Sequence, residues 1–187
     1  ETCRTRKLGH DRSTLRALWP VFDRDGVLRG VSGRLYAEGC LRCGLAPTKP
    51  SKDCPACDYH QPPKWLHTVG FDREHHLYGE DQITGGDCAI LVEGLIDRDV
   101  LWQAGWNDVL ATFGTSVSME HVRKIGRWFR RVVVFADGDD AGRKMAREWK
   151  ELLGKKMPVA VVPTQDGEDP GSLDPWASSQ LLGPLVG

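Results

Sequence analysis

Two apolar runs in this chain end in acidic residues, and this pattern constrains the fold more than any other feature. The run Ala89–Val92 is followed by Glu93 and a glycine, and the run Val132–Ala136 is followed by Asp137, a glycine and Asp139. An apolar run that ends in glycine and gives way to a helical pattern is typical of a buried parallel strand leading into a helix. The carboxyl ends of such strands meet at one edge of an open α/β sheet. Clustered carboxylates repel one another unless cations lie between them, so the sequence predicts divalent metal and phosphate chemistry.

The rest of the chain alternates between strand and helix patterns. Asp25 and Gly26 lie between two apolar segments and predict a β-hairpin, while Ser118 and Asp140 are predicted helix caps. The elements predicted after the hairpin are a helix over 96–103, a strand over 109–112, helices over 118–129 and 140–154, and a strand over 159–162. This order predicts an α/β fold with a mostly parallel sheet flanked by helices.

Composition sets the outer bounds. A chain of 187 residues that is 40% hydrophobic can bury a substantial core. Its net charge of -1 gives no overall nucleic-acid signature, so only local patches can carry that argument. No stretch approaches the roughly 18 apolar residues of a membrane span, and the start is unlike a signal peptide. We therefore expect a cytoplasmic protein with no membrane partner. Because the chain begins with Glu1 rather than Met, we expect a piece of a longer polypeptide whose flanking domains are missing.

Four of the six cysteines form two Cys-x-x-Cys pairs. Cys40 and Cys43 are the first pair, and Cys54 and Cys57 are the second, with ten residues between the two pairs. Paired thiolates joined by a short polar loop are typical of a structural zinc site. Two disulfides are the alternative, which the absence of secretion features disfavours. A closed four-sulfur site leaves no open position for substrate, so we expect one structural zinc in a ribbon inserted at residues 38–60.

The successive acidic and glycine motifs resemble those of the TOPRIM domain in bacterial DnaG-type primases and phage primase-helicases. In chain order they are Glu93-Gly94-Leu95-Ile96-Asp97, Gly114-Thr115-Ser116, Asp137-Gly138-Asp139-Asp140-Ala141-Gly142-Arg143 and Asp166-Gly167-Glu168-Asp169-Pro170. Upstream, residues 30–34 and 63–79 resemble the amino-terminal subdomain of the same primase core. The resemblance implies a TOPRIM catalytic domain at 86–173, a small mixed amino-terminal subdomain at 1–85 that carries the zinc ribbon, and a tail or linker at 174–187.

The resemblance also implies an activity, the synthesis of short RNA primers on single-stranded DNA. In that family the counterparts of Glu93, Asp137 and Asp139 hold divalent ions, and those of Asp97 and Asp169 lie close by. The resemblance therefore implies that the first three are catalytic and that all five are metal ligands. Two Mg²⁺ or Mn²⁺ ions, about 3.5 to 4 Å apart, support in-line nucleotidyl transfer in such sites. The implied partners are a single-stranded DNA template, ribonucleoside triphosphates, and a replicative or fused helicase. The implied location is the cytoplasm of a bacterial cell, with a phage gene as one possible source.

Basic residues complete the expected site. Arg34, Lys64 and Arg73 fall where relatives place residues that meet the template or the incoming triphosphate, and Arg143 closes the third motif. Lys and Arg are the residues that recognise phosphate, so we expect these four to contact nucleic acid or nucleotide. Each could equally be a solvated surface charge. A second basic group, over residues 121–131, is interpreted first as the charged face of a helix.

Two other classes of function compete with the primase interpretation. A RecR-like recombination mediator also pairs a four-cysteine zinc module with a TOPRIM fold, but that non-catalytic family lacks the paired aspartates. A DNA-cleaving enzyme of the topoisomerase or nuclease type shares the metal site. A topoisomerase needs a nucleophilic tyrosine, and the tyrosines here, Tyr36, Tyr59 and Tyr78, are not near the acidic motifs.

The fourth motif departs from the family pattern. Relatives commonly have Asp-Pro-Asp at its end, whereas this chain has Asp169-Pro170-Gly171. Because the affinity for hard cations follows the charge and number of ligands, we expect one metal to bind loosely until nucleotide arrives. On the same reasoning, Gly171→Asp is expected to tighten metal binding in the absence of nucleotide.

Overall fold

The computed structural model describes residues 7–37, 39–44, 53–60 and 62–187. The chain divides into two compact units, one made of Glu1–Val21 and Leu28–Phe71 and the other of Phe22–Val27 and Asp72–Gly187. Residues 72–85 thus group with the second unit, whereas the sequence analysis placed a boundary after residue 85. The reason is a long-range pairing: the backbones of Tyr78 and Ala111 exchange hydrogen bonds of 2.9 and 3.1 Å.

The first unit contains a sheet of four strands in the order β1-β2-β3-β4. These strands are β1 Gly9–Asp11, β2 Arg16–Phe22, β3 Leu28–Leu35 and β4 Trp65–His67. β1 runs antiparallel to β2, and β4 runs antiparallel to β3. The predicted turn lies between β2 and β3, where Gly26 has a φ of 76° that glycine adopts without steric penalty.

A buried arginine fixes the segment that leads into β4. Arg16 is 4% exposed. Its guanidinium donates to the carbonyl oxygens of Gly33 at 2.9 Å, Lys64 at 3.1 Å and Pro63 at 2.7 Å. Because a buried guanidinium must find acceptors for its N–H groups, this network holds the backbone of residues 63–64 against β3.

The second unit contains a four-stranded sheet in the order β6-β5-β7-β8, and every adjacent pair in it is parallel. The elements in chain order are β5 Gly86–Val92, α1 Leu95–Gln103, β6 Val109–Ala111, α2 Met119–Trp128, β7 Phe129–Val134, α3 Asp140–Leu153, β8 Val159–Val161 and α4 Pro175–Val186. Short 3-10 helices span Glu80–Gln82 and Pro170–Ser172. The predicted α/β fold with a mostly parallel sheet is confirmed.

Burial of the two central strands follows from their sequence. Residues 89–92 of β5 are all at most 2% exposed, as expected for a parallel strand covered on both faces. One face packs against α2 and α3 through Ile125, Met145 and Trp149. The register pairs Leu91 of β5 with Val134 of β7. The residues that follow β5 and β7 therefore emerge at the same edge of the sheet.

The carboxyl-terminal segment was predicted to be a tail or linker, and the structure corrects this. Residues 175–186 form α4, in which Asp174 caps the first turn by accepting from the N–H of Ala177 at 2.8 Å. Leu182 is fully buried. Arg131 of β7 donates to the last carbonyl oxygens of the helix, at Leu185 and Val186. Glycine, proline and serine lower helix propensity here, so tertiary packing decides the conformation.

None of the helices in the described ranges is long and apolar enough to cross a membrane.

Candidate active site and metal centres

The acidic motifs come together at the carboxyl edge of the parallel sheet. Glu93 directly follows β5, and Asp137 follows β7 by way of two buried residues. Burial raises the pKa of the Glu93 carboxyl, and the neighbouring charges of Asp139 and Asp97 raise it further. Burial also raises the pKa of Asp97, and the negative charge of the loop residue Asp169 raises it further. Five carboxylates predicted from sequence thus share one electrostatic environment.

Asp137 is the most strongly affected member of this acidic edge. Burial raises its pKa to about 7, helped by the charges of Asp97, Glu93, Asp169 and Asp139. Its Oδ1 atom is buried and has no hydrogen-bond partner among the residues that the structure describes. A buried carboxylate oxygen without a donor is costly unless a cation satisfies it. The oxygen-rich surroundings therefore fit a hard divalent cation held by Asp137 and its acidic neighbours.

Asp139, rather than the predicted Asp140, caps helix α3. Its carboxylate accepts from the N–H of Gly142 at 2.8 Å. A Cβ atom at Gly142 would lie 2.2 Å from the carbonyl oxygen of Asp137, so only glycine lets the first turn of α3 approach this closely. The cap accordingly fixes the direction of Asp139 relative to Asp137.

Asp97 holds two loops together. One of its oxygens accepts from the N–H of Gly94 and the other from the N–H of Gly171, both at 3.1 Å. A Cβ atom at Gly171 would lie 2.4 Å from Oδ1 of Asp97. The glycine that replaces the family's second aspartate is therefore part of this clamp. Spacing along the chain could not show it, because Asp97 and Gly171 are far apart in sequence.

The loop that contains Asp169 is docked onto the third motif through its backbone. The N–H of Gly138 donates to the carbonyl oxygen of Glu168 at 2.8 Å. The N–H of Gly167 donates to the carbonyl oxygen of Gly138 at 3.2 Å. A Cβ atom at Gly138 would lie 1.7 Å from the carbonyl oxygen of Gln165. The glycine of Asp-Gly-Asp is thus required by this close approach.

Arg143 supports the same loop. Its guanidinium donates to Asp166 at 2.8 Å, to Asp140 at 2.9 Å and to the carbonyl oxygen of Gly138 at 3.2 Å. These contacts raise the pKa of Arg143, with the Asp140 bond contributing most. The structure therefore places Arg143 beside the acidic edge as a brace between the third and fourth motifs.

The other predicted basic contacts lie on both units. In the first unit, Arg34 is half-buried with its guanidinium 5.8 Å from the ring centre of Trp65, and Lys64 is exposed. In the second unit, Arg73 is exposed, and its carbonyl oxygen accepts from Nε2 of His121 at 3.1 Å. Their contacts with nucleic acid or nucleotide remain predictions.

The four predicted cysteines form a compact cluster in the first unit. The Sγ atoms of Cys40 and Cys57 are 3.6 Å apart, and those of Cys43 and Cys54 are 3.8 Å apart. A tetrahedral ion with sulfur ligands at about 2.3 Å requires sulfur atoms about 3.8 Å apart, so the spacing fits zinc. Among the described residues, this is the only group of three or more ligand side chains whose ligand atoms all lie within 4.8 Å of one another.

The remaining residues near the cysteine pattern are not part of the cluster. His60 is exposed, and its Nδ1 lies 3.0 Å from a carboxylate oxygen of Asp53. Cys88 lies on β5 in the second unit, where burial raises the pKa of its thiol. Cys3 lies outside the described residues. Within the described ranges the cluster is therefore formed by the two Cys-x-x-Cys pairs, which indicates zinc binding.

Comparison with known proteins agrees with this architecture. The family model described as Toprim-like matches residues 90–173. A DNA primase of Legionella pneumophila is 31% identical over 177 residues, an alignment that covers 88% of this chain and 27% of that protein. The crystal structure of the zinc-binding and RNA polymerase domains of the Aquifex aeolicus primase gives a TM-score of 0.70 at 25% identity, over 92% of this chain and 40% of that one. The structure of a DnaG primase catalytic domain bound to ssDNA gives a TM-score of 0.70 at 24% identity. That alignment covers 95% of this chain and 55% of the other.

Residues 90–173 are therefore similar to the Toprim-like family, a class with which the parallel sheet and its acidic edge agree. Beyond that class, the chain is similar over most of its length to DnaG-type DNA primases, and the resemblance predicted from sequence is confirmed. The chain spans about a quarter of the Legionella primase, 27% of its length.

Proposed function

We propose that this chain is the catalytic core of a DNA primase and joins ribonucleotides on a single-stranded DNA template. The observation that carries the proposal is the acidic edge, where the buried Oδ1 of Asp137 has no hydrogen-bond partner within the described part of the chain. The similarity to bacterial DNA primases supports the same activity. A primase catalytic domain of the same fold has been solved with ssDNA, which supports DNA as the template.

In this proposal Glu93, Asp137 and Asp139 are the ligands of divalent cations, Mg²⁺ or Mn²⁺, with Asp169 completing the set. Such cations, when bound, would activate the attacking 3′-hydroxyl and stabilise the charge on the leaving pyrophosphate. The chain's own contribution is positioning. Asp97 holds the loop of Asp169 by accepting a hydrogen bond from the N–H of Gly171. Asp139 caps α3, and this cap orients the carboxylate of Asp139 beside Asp137.

The two metal sites would have different tasks. The four thiolates would hold one zinc ion and stabilise the fold of their module, because a closed sulfur site leaves no position for substrate. The carboxylate edge is open and half-buried, so triphosphate oxygens can complete the coordination of a hard cation there. Arg34, Lys64 and Arg73 remain the proposed contacts for template or triphosphate, and a helicase remains the proposed partner.

A priming assay tests the proposal directly. Labelled ribonucleotides and single-stranded DNA are supplied with Mg²⁺ or Mn²⁺, and short RNA products are expected from the wild-type chain. Asp137→Asn should lower synthesis on the order of 1000-fold, because it removes a ligand charge without changing volume. Asp25→Asn is the matched control, since Asp25 is an exposed residue in the turn between β2 and β3 and takes no part in the acidic edge.

The same assay separates the other classes. Cleavage of labelled DNA without RNA synthesis would identify a nuclease or topoisomerase activity. DNA binding with neither synthesis nor cleavage, over a range of template sequences and with either metal, would favour a RecR-like mediator. Equal synthesis by Asp137→Asn and the wild type would contradict the assignment of the acidic edge.

A further inference from the structure

Four cations line a pocket at the opposite end of the parallel sheet from the acidic edge. Arg123 and Arg127 lie one turn apart on α2, Arg130 is the second residue of β7, and Lys156 comes from the segment between α3 and β8. The pocket has a volume of about 470 Å³. We call it the basic pocket. Strand β7 separates it from Asp137, and six strand residues alone span roughly 17 Å.

The structure divides the basic group predicted as one helix face into two sets. His121 is 1% exposed. Lys124 donates to Glu80 at 2.8 Å in a nearly buried pair, and Arg131 holds the end of α4. These three residues therefore serve the fold. The remaining three arginines are exposed, and they are the ones that line the basic pocket.

The cations of the basic pocket are available to a ligand. Arg127, Arg130 and Lys156 are exposed and have no ion-pair partner within the described ranges, while Arg123 pairs with the surface residue Glu120 at 2.8 Å. A net charge of -1 means that this local excess does not reflect a generally basic chain. Like charges brought together from three elements repel one another, so an anion that bridges them gains attraction from each.

The floor of the pocket decides which anion fits. Val122 is 1% exposed and Phe129 is 4% exposed, so they offer little apolar surface to a docking peptide. Protein partners anchor through buried aromatic or aliphatic contacts, and of the larger apolar lining residues only Met157 is half-buried rather than buried, which is a small anchor for a protein. Guanidinium groups, in contrast, match phosphate oxygens with paired hydrogen bonds.

Gly126 keeps the pocket open. It is an exposed glycine within α2, a position where glycine costs roughly 1 kcal/mol relative to alanine. Among the described residues, a Cβ atom there would meet only the terminal methyl group of Met157, at 3.7 Å. The backbone thus tolerates a side chain, and a longer one would extend over the space between the cations.

We propose that the basic pocket binds the phosphate backbone of a single-stranded nucleic acid, as a contact separate from the acidic edge. Cations from three elements can take successive phosphates of one strand. The choice of nucleic acid as the ligand rests on the proposed function, whereas the anion preference rests on the pocket alone. The contact would hold template or product while chemistry proceeds at the other end of the sheet.

The test is the binding of a fluorescent oligothymidylate to the full chain, measured by anisotropy over a salt series with EDTA present. Arg127→Gln combined with Arg130→Gln should weaken binding about tenfold and lower the slope of log affinity against log salt by roughly 1.4, since each lost phosphate contact accounts for about 0.7. Arg147→Gln combined with Lys150→Gln is the matched control, with the same charge change on exposed residues of α3. This control variant should bind the oligonucleotide with the wild-type salt slope, and its affinity should differ from that of the wild type only by the small effect of the lower net charge.

A second variant tests the pocket without changing charge. Gly126→Met should weaken binding at unchanged or higher thermal stability, because it fills the pocket and favours the helix. Wild-type affinity and salt slope in both the paired Gln variant and Gly126→Met would overturn the proposal. Displacement of the oligonucleotide by ATP or by polyglutamate at equal charge concentration would also overturn it, in favour of a nucleotide site or a general anion surface.

Failure of the basic-pocket proposal can be distinguished from failure of the proposed primase function. Binding is measured without divalent metal or nucleotide, so a chain that makes no RNA can still show the expected binding pattern. A chain that makes RNA normally and binds the oligonucleotide equally well in the pocket and control variants would retain its function and lose only this inference.

Discussion

The two candidate metal centres of this chain are built in opposite ways. The cysteine cluster comes from two short turns close in sequence. Its sulfur atoms lie at the spacing of tetrahedral zinc, 3.6 Å for Cys40–Cys57 and 3.8 Å for Cys43–Cys54. The carboxylates come from three segments far apart in sequence, and burial together with the neighbouring acidic charges raises the pKa values of Glu93, Asp97 and Asp137. The closed cysteine site can thus be assembled from residues close in sequence, whereas the open carboxylate site forms only when the parallel sheet brings its residues together.

This difference shows where the fold must supply support. Nothing attracts the carboxylates to one another, so backbone contacts hold their loops. Asp97 bonds to Gly94 and Gly171, and Gly138 is hydrogen-bonded to the loop of Asp169. The glycines near the acids are therefore required by close approach of the backbone. They make the open site geometrically fixed even though its charges repel.

The largest expected effect concerns Asp139, which has two roles in the carboxylate site. Asn caps helices as well as Asp does, so Asp139→Asn should keep α3 intact and remove only the charge. RNA synthesis should fall on the order of 1000-fold with an unchanged melting temperature. Asp139→Ala should lose the same activity and also about 1 kcal/mol of stability. Priming assays and thermal melts measure the two readouts.

Glu151→Gln is the control, because Glu151 is exposed on α3 and lies near the end of that helix remote from the carboxylate site. Substantial synthesis by Asp139→Asn would show that Asp139 is a cap and not a ligand, which would leave the carboxylate site dependent on Glu93 and Asp137.

The next effect is the loss of zinc from the cysteine site. The purified chain should carry about one zinc ion, and Cys40→Ser should lose it and destabilise the first unit, because the metal supplies folding energy to its module. Cys88→Ser is the control, since Cys88 lies on β5 and outside the cluster. Elemental analysis and limited proteolysis report the two quantities. Full zinc content in Cys40→Ser would contradict the four-sulfur assignment.

At Gly171 the structure reverses an expectation from the sequence, namely that Gly171→Asp tightens metal binding at the carboxylate site. A Cβ atom would lie 2.4 Å from Oδ1 of Asp97, so Gly171→Asp must displace the Asp97 side chain before its own carboxylate can help. We expect both Gly171→Asp and Gly171→Ala to weaken Mn²⁺ binding, about tenfold, by disturbing the Asp169 loop. Calorimetric titration without nucleotide measures this. Tighter binding by Gly171→Asp alone would show that added charge outweighs the steric conflict.

The sequence predicted those parts of both sites that depend on local pattern. Apolar runs ending in Glu93 and Asp137 predicted parallel strands, and the cysteine spacing predicted the cluster. It could not predict the clamp between Asp97 and Gly171, since that contact is made only after the sheet has assembled. It also took residues 174–187 for a tail, because their low helix propensity is outweighed by packing of Leu182, which is fully buried in the second unit.

The smallest expected effect concerns the stability of the unit that carries the carboxylates. His121 on α2 is 1% exposed, and its Nε2 lies 3.1 Å from the carbonyl oxygens of Arg73 and His76, to which it donates. Burial holds the pKa of His121 below its usual value of 6.5. The unfolded chain then binds a proton that the folded chain does not, so stability is full above about pH 6.5 and falls as the pH drops below it.

The slope from this one group is at most about 1.4 kcal/mol per pH unit. His121→Gln removes the titration, and its amide can still donate to one of the two carbonyl oxygens. Its free energy of unfolding should therefore fall less steeply than that of the wild type between pH 6.5 and pH 5, as measured by urea denaturation. His10→Gln is the control, because His10 is exposed and lies in the first unit. If the wild type and His121→Gln have parallel pH profiles, burial of the neutral imidazole does not limit the acid stability of this unit.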